Sequence, residues 1–339
     1  NNALNGDGGG VVTSFGTAEI TNSTISGNQA RRGGGIHNSV NNMRLTDTRI
    51  TGNTSRYDGG GIYSSMALTL INSTISSNVS SAGNGGGIII FTSPLTVTDS
   101  TISSNTSAIS KGGGIYSGGS SVTLNNSVVS NNGAARGGGI YNFGSGITLN
   151  NSTISGNGIF QDSMDGLNLF NSIVANSPGG DCFLSFGVAN VAYSLIEDGS
   201  CGITDGVNGN LTGDPALNGD LTLSAASIAI NAGDNSLIPG GITTDLAGNA
   251  RIQNTTVDMG AYESAFAPVL PTVTISATDN TGAEAGSDAI TFRITRTGST
   301  TVLLNVTYTI GGDATNGTDY TPTLTGSVDI PAGQAFVDI

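Results

Sequence analysis

A Gly-Gly-Gly tripeptide followed by isoleucine occurs five times along this chain, at intervals of 25 to 27 residues. The isoleucines that close these copies are Ile36, Ile62, Ile88, Ile115 and Ile140. A second motif, Asn/Asp-Ser/Thr-x-Ile/Val-Ser/Thr-x-Asn, accompanies it at a nearly constant offset and begins at Asn22, Asp47, Asn72, Asp99, Asn126 and Asn151. A repeat of this length indicates a solenoid with one structural unit per copy.

The residues inside each copy have the pattern of short strands. Polar and apolar side chains alternate, as in the run from Leu68 to Ser76, and no apolar set recurs at helical spacing. Strands this short cannot pair within one copy, so each is expected to lie on the matching strand of the next copy. The sequence therefore predicts an all-β chain whose main part is a parallel β-helix of about 25–27 residues per coil.

Stacked coils turn equivalent positions into ladders. The five isoleucines named above are expected to form one inward ladder, since β-branched side chains suit a buried pleated surface. A second inward ladder is expected from Ile25, Ile50, Ile75, Ile102, Val129 and Ile154. The asparagines at both ends of the second motif are expected in turns, where they tolerate left-handed backbone and bond between coils. Most of the repeat is thus predicted to be structural.

Composition and charge exclude several classes of protein. With 53 Gly in 339 residues and no Trp, the composition does not favour a helical globular enzyme. The formal net charge of −14 is uneven, because residues 1–160 sum to +2 and residues 161–339 to −16. Lys111 is the only lysine, so no phosphate-binding surface and no nucleic-acid partner is expected. No apolar run is long enough for a transmembrane segment.

The first residues show no basic region followed by an apolar stretch, so a signal peptide is absent or already removed. They also provide no cap for a first coil, which a solenoid normally needs. We interpret residue 1 as a cut inside a longer protein.

The two cysteines, Cys182 and Cys201, follow the regular repeats. They lack metal-ligand spacing, and in this Asn/Ser/Thr/Gly-rich chain we expect one disulfide between them. A pair of reduced buried thiols is the alternative. A disulfide would place the protein outside the reducing cytosol, so an extracellular or cell-surface location is expected.

Several motifs after the repeats resemble a known family. They are 194-SLIEDGSC-201, 213-GDPAL-217, 227-SIAINAG-233, 245-DLAGNAR-251 and 257-VDMGAYE-263. In this order they resemble the end of bacterial right-handed β-helix surface proteins of the choice-of-anchor Q type, which are related to polymorphic outer-membrane proteins. The resemblance covers about residues 1–265 and implies an exported surface protein. Asn231 departs from it, because the family pattern has an acid there.

Four regions follow from these patterns. We predict regular coils over residues 1–177, an irregular β-helix end with the disulfide over 178–264, a linker over 265–271, and a further domain over 272–339. Beyond the linker, longer alternating strands separated by Gly, Asp and Asn turns predict an Ig-like antiparallel β-sandwich.

The C-terminal region resembles a Calx-β domain, through the segments 284-EAG-286, 311-GGDATNGTDY-320 and 330-IPAGQ-334. The resemblance implies calcium ligation by Glu284 and Asp319, with Asp279 as a further candidate. These acids cannot supply the six to eight oxygens that calcium prefers. The domain is also shorter than the family's, so either the protein is longer or a neighbouring molecule donates a strand and builds fibres.

His37, Asp47 and Asp99 invite a catalytic interpretation. Parallel β-helices include polysaccharide lyases and hydrolases, which use acids or an acid and a base on adjacent coils. His37 is the only histidine, but it occupies the position of Tyr63 in the next copy, so a rung of an outer aromatic ladder is favoured. Asp47 and Asp99 replace the turn asparagine two coils apart, so members of a turn ladder are favoured there also.

The resulting hypothesis is an extracellular structural or adhesive protein and not an enzyme. Its β-helix rod would present or link modules, with self-association or surface glycans as partners. The alternatives are a carbohydrate-active enzyme and an ice- or polysaccharide-binding solenoid. The outward hydroxyls of Thr24, Thr74, Thr101 and Thr153 resemble the arrays of ice-binding solenoids, but Arg49 and Val128 interrupt them.

Overall fold

The computed structural model describes residues 1–40, 42–266, 271–282, 289–298, 300 and 303–339. It divides into two compact units, residues 1–267 and 268–339. The helices in the described ranges are two single 3-10 turns, Val207–Gly209 and Asn235–Leu237. None of the described helices is long and apolar enough to span a bilayer.

The first unit is a parallel β-helix of about eight coils. Each coil contributes one short strand to each of three long sheets, and the early coils also contribute a strand to a fourth, shorter sheet. Neighbouring strands within every sheet come from successive coils. Sheet A contains Asn2–Ala3, Gln29–Ala30, Thr54–Ser55, Val79–Ser80 and Thr106–Ser107. Sheet B contains Val11–Thr13, Ile36–Asn38, Ile62–Ser64, Ile88–Ile90, Ile115–Ser117, Ile140–Asn142, Ile159–Gln161 and Cys182–Leu184.

The other two long sheets follow sheet B in each coil. Sheet C contains Thr17–Thr21, Asn42–Thr46, Ala67–Ile71, Leu95–Thr98, Val122–Asn125, Ile147–Asn150, Leu167–Phe170 and Ala189–Ala192. Sheet D contains Thr24–Ser26, Arg49–Thr51, Thr74–Ser76, Thr101–Ser103, Val128–Ser130, Thr153–Ser155, Ile173–Ala175 and Leu195–Ile196. The predicted parallel β-helix is confirmed.

The core is built from ladders of identical or similar side chains. In sheet B the register places Ile36, Ile62, Ile88, Ile115 and Ile140 opposite one another in successive coils. All five side chains are fully buried. Since each isoleucine contacts its equivalent above and below, one residue type fills the interior at every level.

The glycine triplet makes the corner that precedes sheet B. Gly59 has φ +66°, a left-handed conformation that glycine adopts without a steric cost. A Cβ atom on Gly60 would overlap the carbonyl oxygen of Gly86 in the next coil. The first glycine is therefore needed for its conformation and the second for the close approach of two backbones.

The two asparagines of the second motif have different roles. The leading residue, such as Asn72 with φ +45°, is left-handed. The closing residue is buried and forms an amide ladder: Asn53 Nδ2 donates to Asn78 Oδ1 over 3.0 Å and to the carbonyl of Ile25 over 2.9 Å. This ladder pairs buried polar groups in every coil from Asn28 to Asn157.

The coils continue beyond the segment predicted to be regular. Cys182 takes the sheet B position that Ile159 holds in the preceding coil. The coil that contains Cys182 ends with Leu195–Ile196 in sheet D. Cys182 and Cys201 form a disulfide, with their Cα atoms 5.5 Å apart. The predicted disulfide is confirmed, and it ties the last coil to the segment that follows.

The second unit is antiparallel. A three-stranded sheet contains Val273–Asp279, Thr291–Arg296 and Phe336–Asp338, and a two-stranded sheet contains Leu304–Thr307 and Ser327–Ile330. Ile294 and Ile330 are its buried apolar side chains among the described residues. The predicted antiparallel β-structure is confirmed. Most of the predicted linker, residues 267–270, lies outside the described residues.

Candidate functional site

Aromatic rings form a ladder on the outer side of sheet B. His37 is in register with Tyr63, and their rings are parallel with centroids 4.8 Å apart. Ile89 holds this position in the next coil, where the ring of Phe91 is tilted against both Tyr63 and Tyr116. Stacking resumes through Tyr116, Tyr141, Phe160 and Phe183. Burial lowers the pKa of His37, although Asp7 lies 3.7 Å away. The structure thus places the only histidine within a stack of rings.

This stacking limits what the aromatic ladder can bind. Where rings lie face to face, as Tyr116 and Tyr141 do at 5.5 Å, each covers a face of the other, and Tyr141 is fully buried. A sugar ring needs an open aromatic face to pack against. Phe183, 52% exposed at the end of the stack, is the ring best placed to offer one.

A cation and an anion meet at one rung of this ladder. Lys111 Nζ donates to the hydroxyl of Tyr141 over 2.7 Å, and that hydroxyl donates to Asp162 Oδ2 over 2.6 Å. Burial, together with the bond to Asp162, raises the pKa of Tyr141. The hydrogen bond from Tyr141 lowers the pKa of Asp162. The three side chains hold one another in place across three coils.

Asp47 and Asp99 belong to a row of left-handed turns that precede the strands of sheet D. We call this row the turn ladder. Its members are Asn22, Asp47, Asn72, Asp99, Asn126, Asn151 and Asn171, all with φ between 45° and 50°. Each acid accepts from the amide of the next rung: Asn72 donates to Asp47 over 2.5 Å and Asn126 donates to Asp99 over 2.6 Å. The two carboxylates therefore bond to asparagine amides between coils.

The turn ladder is open at one end and covered at the other. Asn22, Asp47 and Asn72 are exposed, whereas Asn126 and Asn151 are fully buried. The cover is the segment 231–264, which we call the strap. It follows the last coil and returns along the outside of sheet D.

The strap binds the late coils through hydrogen bonds to the turn ladder. Asn126 Nδ2 donates to the carbonyl of Thr244 over 3.0 Å, and Arg251 Nη1 donates to Asn126 Oδ1 over 2.9 Å. The backbone N–H of Ala261 donates to Thr153 Oγ1 over 3.0 Å. Asn171 exchanges two hydrogen bonds with the backbone of Asp234, at 2.8 and 2.9 Å. The strap thus bonds to the turn ladder as a bound peptide would, although it is part of the same chain.

A buried charged cluster organises the strap. The guanidinium of Arg251 is 2% exposed and lies 2.7 Å from the carboxyl of Glu263. It also donates to the carbonyls of Asp258 and Gly260. Asp245 accepts from the backbone N–H of Glu263 over 2.9 Å. One guanidinium therefore bonds to three strap residues and to one rung of the turn ladder.

The charge balance in this cluster is uneven, because three carboxyls surround one cation. Burial raises the pKa of Glu263 to about 8, and Arg251 opposes this shift only in part. Burial likewise raises the pKa of Asp258. All four charged members of this cluster, Asp245, Arg251, Asp258 and Glu263, lie in the motifs quoted for the family resemblance. Sequence reasoning did not assign them a role, although an arginine in so acidic a region was a usable signal.

Two amides under or within the strap have unpaired atoms. Both side-chain polar atoms of Asn151 and of Asn231 are buried without a hydrogen-bond partner among the described residues. The backbone N–H of Asn231 donates to Asp258 over 2.6 Å. The position where the family pattern has an acid thus contacts the charged cluster through its backbone.

The open end of the turn ladder forms a groove of about 260 Å³. It is lined by Asn22, Ser23, Thr24, Asp47, Thr48, Arg49, Asn72 and Thr74. The threonine rank that resembles ice-binding arrays lies here only in part. Thr153, its last member, is buried against the strap.

The predicted calcium ligands lie in the second unit. Asp319 accepts from the N–H of Thr315 over 2.6 Å, and Asp279 accepts from Thr281. Glu284 lies outside the described residues. Within the described ranges no three His, Cys, Asp or Glu side chains are grouped to hold a metal. Calcium binding stays a prediction.

Comparison with known proteins adds a family. The family described as "Right handed beta helix region" matches residues 9–212, which is more than half of the chain. No curated protein and no solved structure matches the chain significantly. The match covers the coils whose ladders are described above. This chain belongs to the right-handed β-helix family.

Proposed function

We propose that this chain is an extracellular structural or adhesive protein, whose rod presents or links other modules. The proposal rests on the observation that outer side chains of the rod contact one another between coils. Rings on sheet B stack between coils, and turn asparagines and aspartates bond between coils. Side chains committed to stacking maintain a rigid rod and are poor candidates for acid–base chemistry.

Two further observations support the extracellular location. The disulfide between Cys182 and Cys201 fits an oxidising compartment. The motifs that end in 257-VDMGAYE-263 resemble bacterial surface proteins, and the last two of them lie in the strap that covers the late coils. A Calx-β-like second unit would be one of the modules linked to it.

A carbohydrate-active enzyme is the alternative, because Asp47 and Asp99 share a face of the rod and β-helices include polysaccharide-degrading enzymes. An inverting hydrolase needs one protonated carboxyl and one ionised carboxylate that activates water. Both aspartates here accept from an asparagine amide. Both carboxyls are thus bonded within the turn ladder, and the rung of Asn72 stands between them.

Incubation of the purified chain with neutral and acidic polysaccharides, followed by measurement of new reducing ends and of unsaturated products, tests the proposal. We expect no turnover by the wild type. Turnover that is lost in both Asp47→Asn and Asp99→Asn, with Asp165→Asn as the exposed control, would establish the enzyme and refute the proposal. Asparagine is the natural residue at the other rungs, so both variants should fold.

A further inference from the structure

The strap and the open groove occupy the same track on the rod. Sheet D pairs Thr24, Arg49, Thr74, Thr101, Val128 and Thr153 in register, and each lies two residues after a rung of the turn ladder. The strap covers this track on the late coils. The early coils present the same backbone, the same turns and the same side-chain positions to solvent.

The contacts of the strap define what such a track can bind. A rung accepts a guanidinium, as Asn126 accepts from Arg251, and its amide donates to a peptide carbonyl. One coil further on, the hydroxyl of Thr153 accepts a peptide N–H. The ligand here is a turn-rich segment that carries an arginine, and a Thr244–Ala250 bridge holds the loop that contacts Asn126.

The open groove repeats these groups with the same offset. Asp47 stands at the rung that corresponds to Asn126, and Thr74 stands one coil further on, as Thr153 does. Asp47 provides a full negative charge where the late rung provides an amide. Its Oδ1 accepts from Asn72, and its Oδ2 has no hydrogen-bond partner in the described part of the chain. A guanidinium would therefore meet a stronger acceptor here than Arg251 does.

We infer that the groove lined by Asn22, Asp47, Asn72 and Thr74 binds an arginine-bearing segment of another polypeptide, looped as the strap is. The arginine lies on Asp47, and the peptide backbone bonds to the turn amides and to the hydroxyl of Thr74. Arg49, exposed beside Asp47, accommodates an acidic residue of the same segment. The occupant thus combines an arginine with acids, as residues 243–263 of the strap combine Arg251 with Asp245, Asp258 and Glu263.

Binding of a synthetic peptide to the whole chain tests this inference. The probe has the sequence of residues 243–263, and a second version carries Arg251→Ala. Hydrogen exchange of the chain with and without peptide locates the site. We expect protection within residues 22–74, and about tenfold weaker binding by the Arg251→Ala peptide, since a hydrogen bond to a charged group is lost.

The protein variant that isolates the groove is Asp47→Asn, which keeps a residue suited to the left-handed turn. It should also bind about tenfold more weakly, whereas the matched control Asp58→Asn, on another face, should bind as the wild type does. A peptide with Arg251→Lys should bind less well than the original, because lysine lacks the planar fork of donors.

Several results would overturn the inference. Protection over residues 126–171 instead would mean that the peptide displaces the strap. Equal binding by the Asp47→Asn variant, or no binding at about 1 mM peptide, would remove the groove as a peptide site. Protection of residues 22–74 by a polysaccharide but not by the peptide would assign the groove to glycans. The polysaccharide turnover assay is independent of all these outcomes.

Discussion

The first three coils and the fifth to seventh coils have the same repeat but opposite surroundings. Asn72 and Asn126 are equivalent rungs with φ 45° and 49°, yet Asn72 is exposed and Asn126 is fully buried. The difference comes from the strap, which lies far along the chain from either rung. An equivalent position in the repeat therefore does not determine whether a rung is solvent-exposed or part of an interface.

The comparison also separates two kinds of stability. The early rungs gain from their own stacking, which each coil supplies to the next. The late rungs gain in addition from long-range bonds, such as the one between Arg251 and Asn126. Changes in the strap should affect the late coils and leave the early coils almost unaltered.

The largest expected effect comes from Arg251→Ala. Its removal takes the buried cation away from the carboxyl of Glu263 and takes a donor away from the amide oxygen of Asn126 and the carbonyl of Gly260, a loss of about 3–5 kcal/mol. The matched change Arg49→Ala makes the same substitution at an exposed arginine and should cost under about 0.5 kcal/mol. Urea denaturation followed by circular dichroism measures both. Equal losses would show that the strap contributes no more than an exposed face.

A smaller effect is expected from pH, and only in the covered region. Glu263 has an ordinary pKa of 4.5 and about 8 in the fold. The folded state holds the proton more tightly, so this contribution to stability is complete below pH 4.5 and is lost as the pH rises through 8. The wild type should therefore lose stability between pH 5 and pH 9 relative to Glu263→Gln, which cannot ionise.

Thermal melting of both proteins at the two pH values measures this difference. The variant serves as its own control, because the remaining titratable groups are the same. Parallel changes in melting temperature would show that Glu263 ionises normally beside Arg251.

The smallest effect is expected from the rungs themselves. Glycine accepts the left-handed turn, so Asn126→Gly and Asn72→Gly remove side-chain bonds without adding backbone strain. Asn126→Gly loses its bonds to Thr244, Arg251 and Asp99 and should cost about 1–3 kcal/mol, whereas Asn72→Gly should cost under about 1 kcal/mol. Hydrogen exchange of the strap amides should increase only in the first variant. An increase in both would contradict separate roles for the two regions.

Much of the fold could be predicted from the repeat. The spacing of Ile36 and Ile62 predicts one coil per copy, and the register confirms it. The corner glycines and the disulfide were also predictable, since both follow from local chemistry. The two asparagines of each motif were expected in one role, and they divide it between a left-handed turn and a buried amide ladder.

The candidate site was predictable only in part. The preference for turn roles at Asp47 and Asp99 used the repeat alone, because Asn72 stands between them. The covered rungs could not be found in this way. Asn126 and Arg251 are 125 residues apart, and no periodicity joins them.

The sequence by itself determined the coil, its ladders and the corner that closes it, because each repeat contacts only its neighbours and equivalent residues must meet. Only the tertiary structure decided which part of the turn ladder is free. That choice depends on the path of the aperiodic segment 231–264, in which the buried Arg251 pairs with Glu263 and reaches Asn126 in the fifth coil. Local patterns specify contacts between adjacent copies, and long-range polar contacts are specified by the folded chain as a whole.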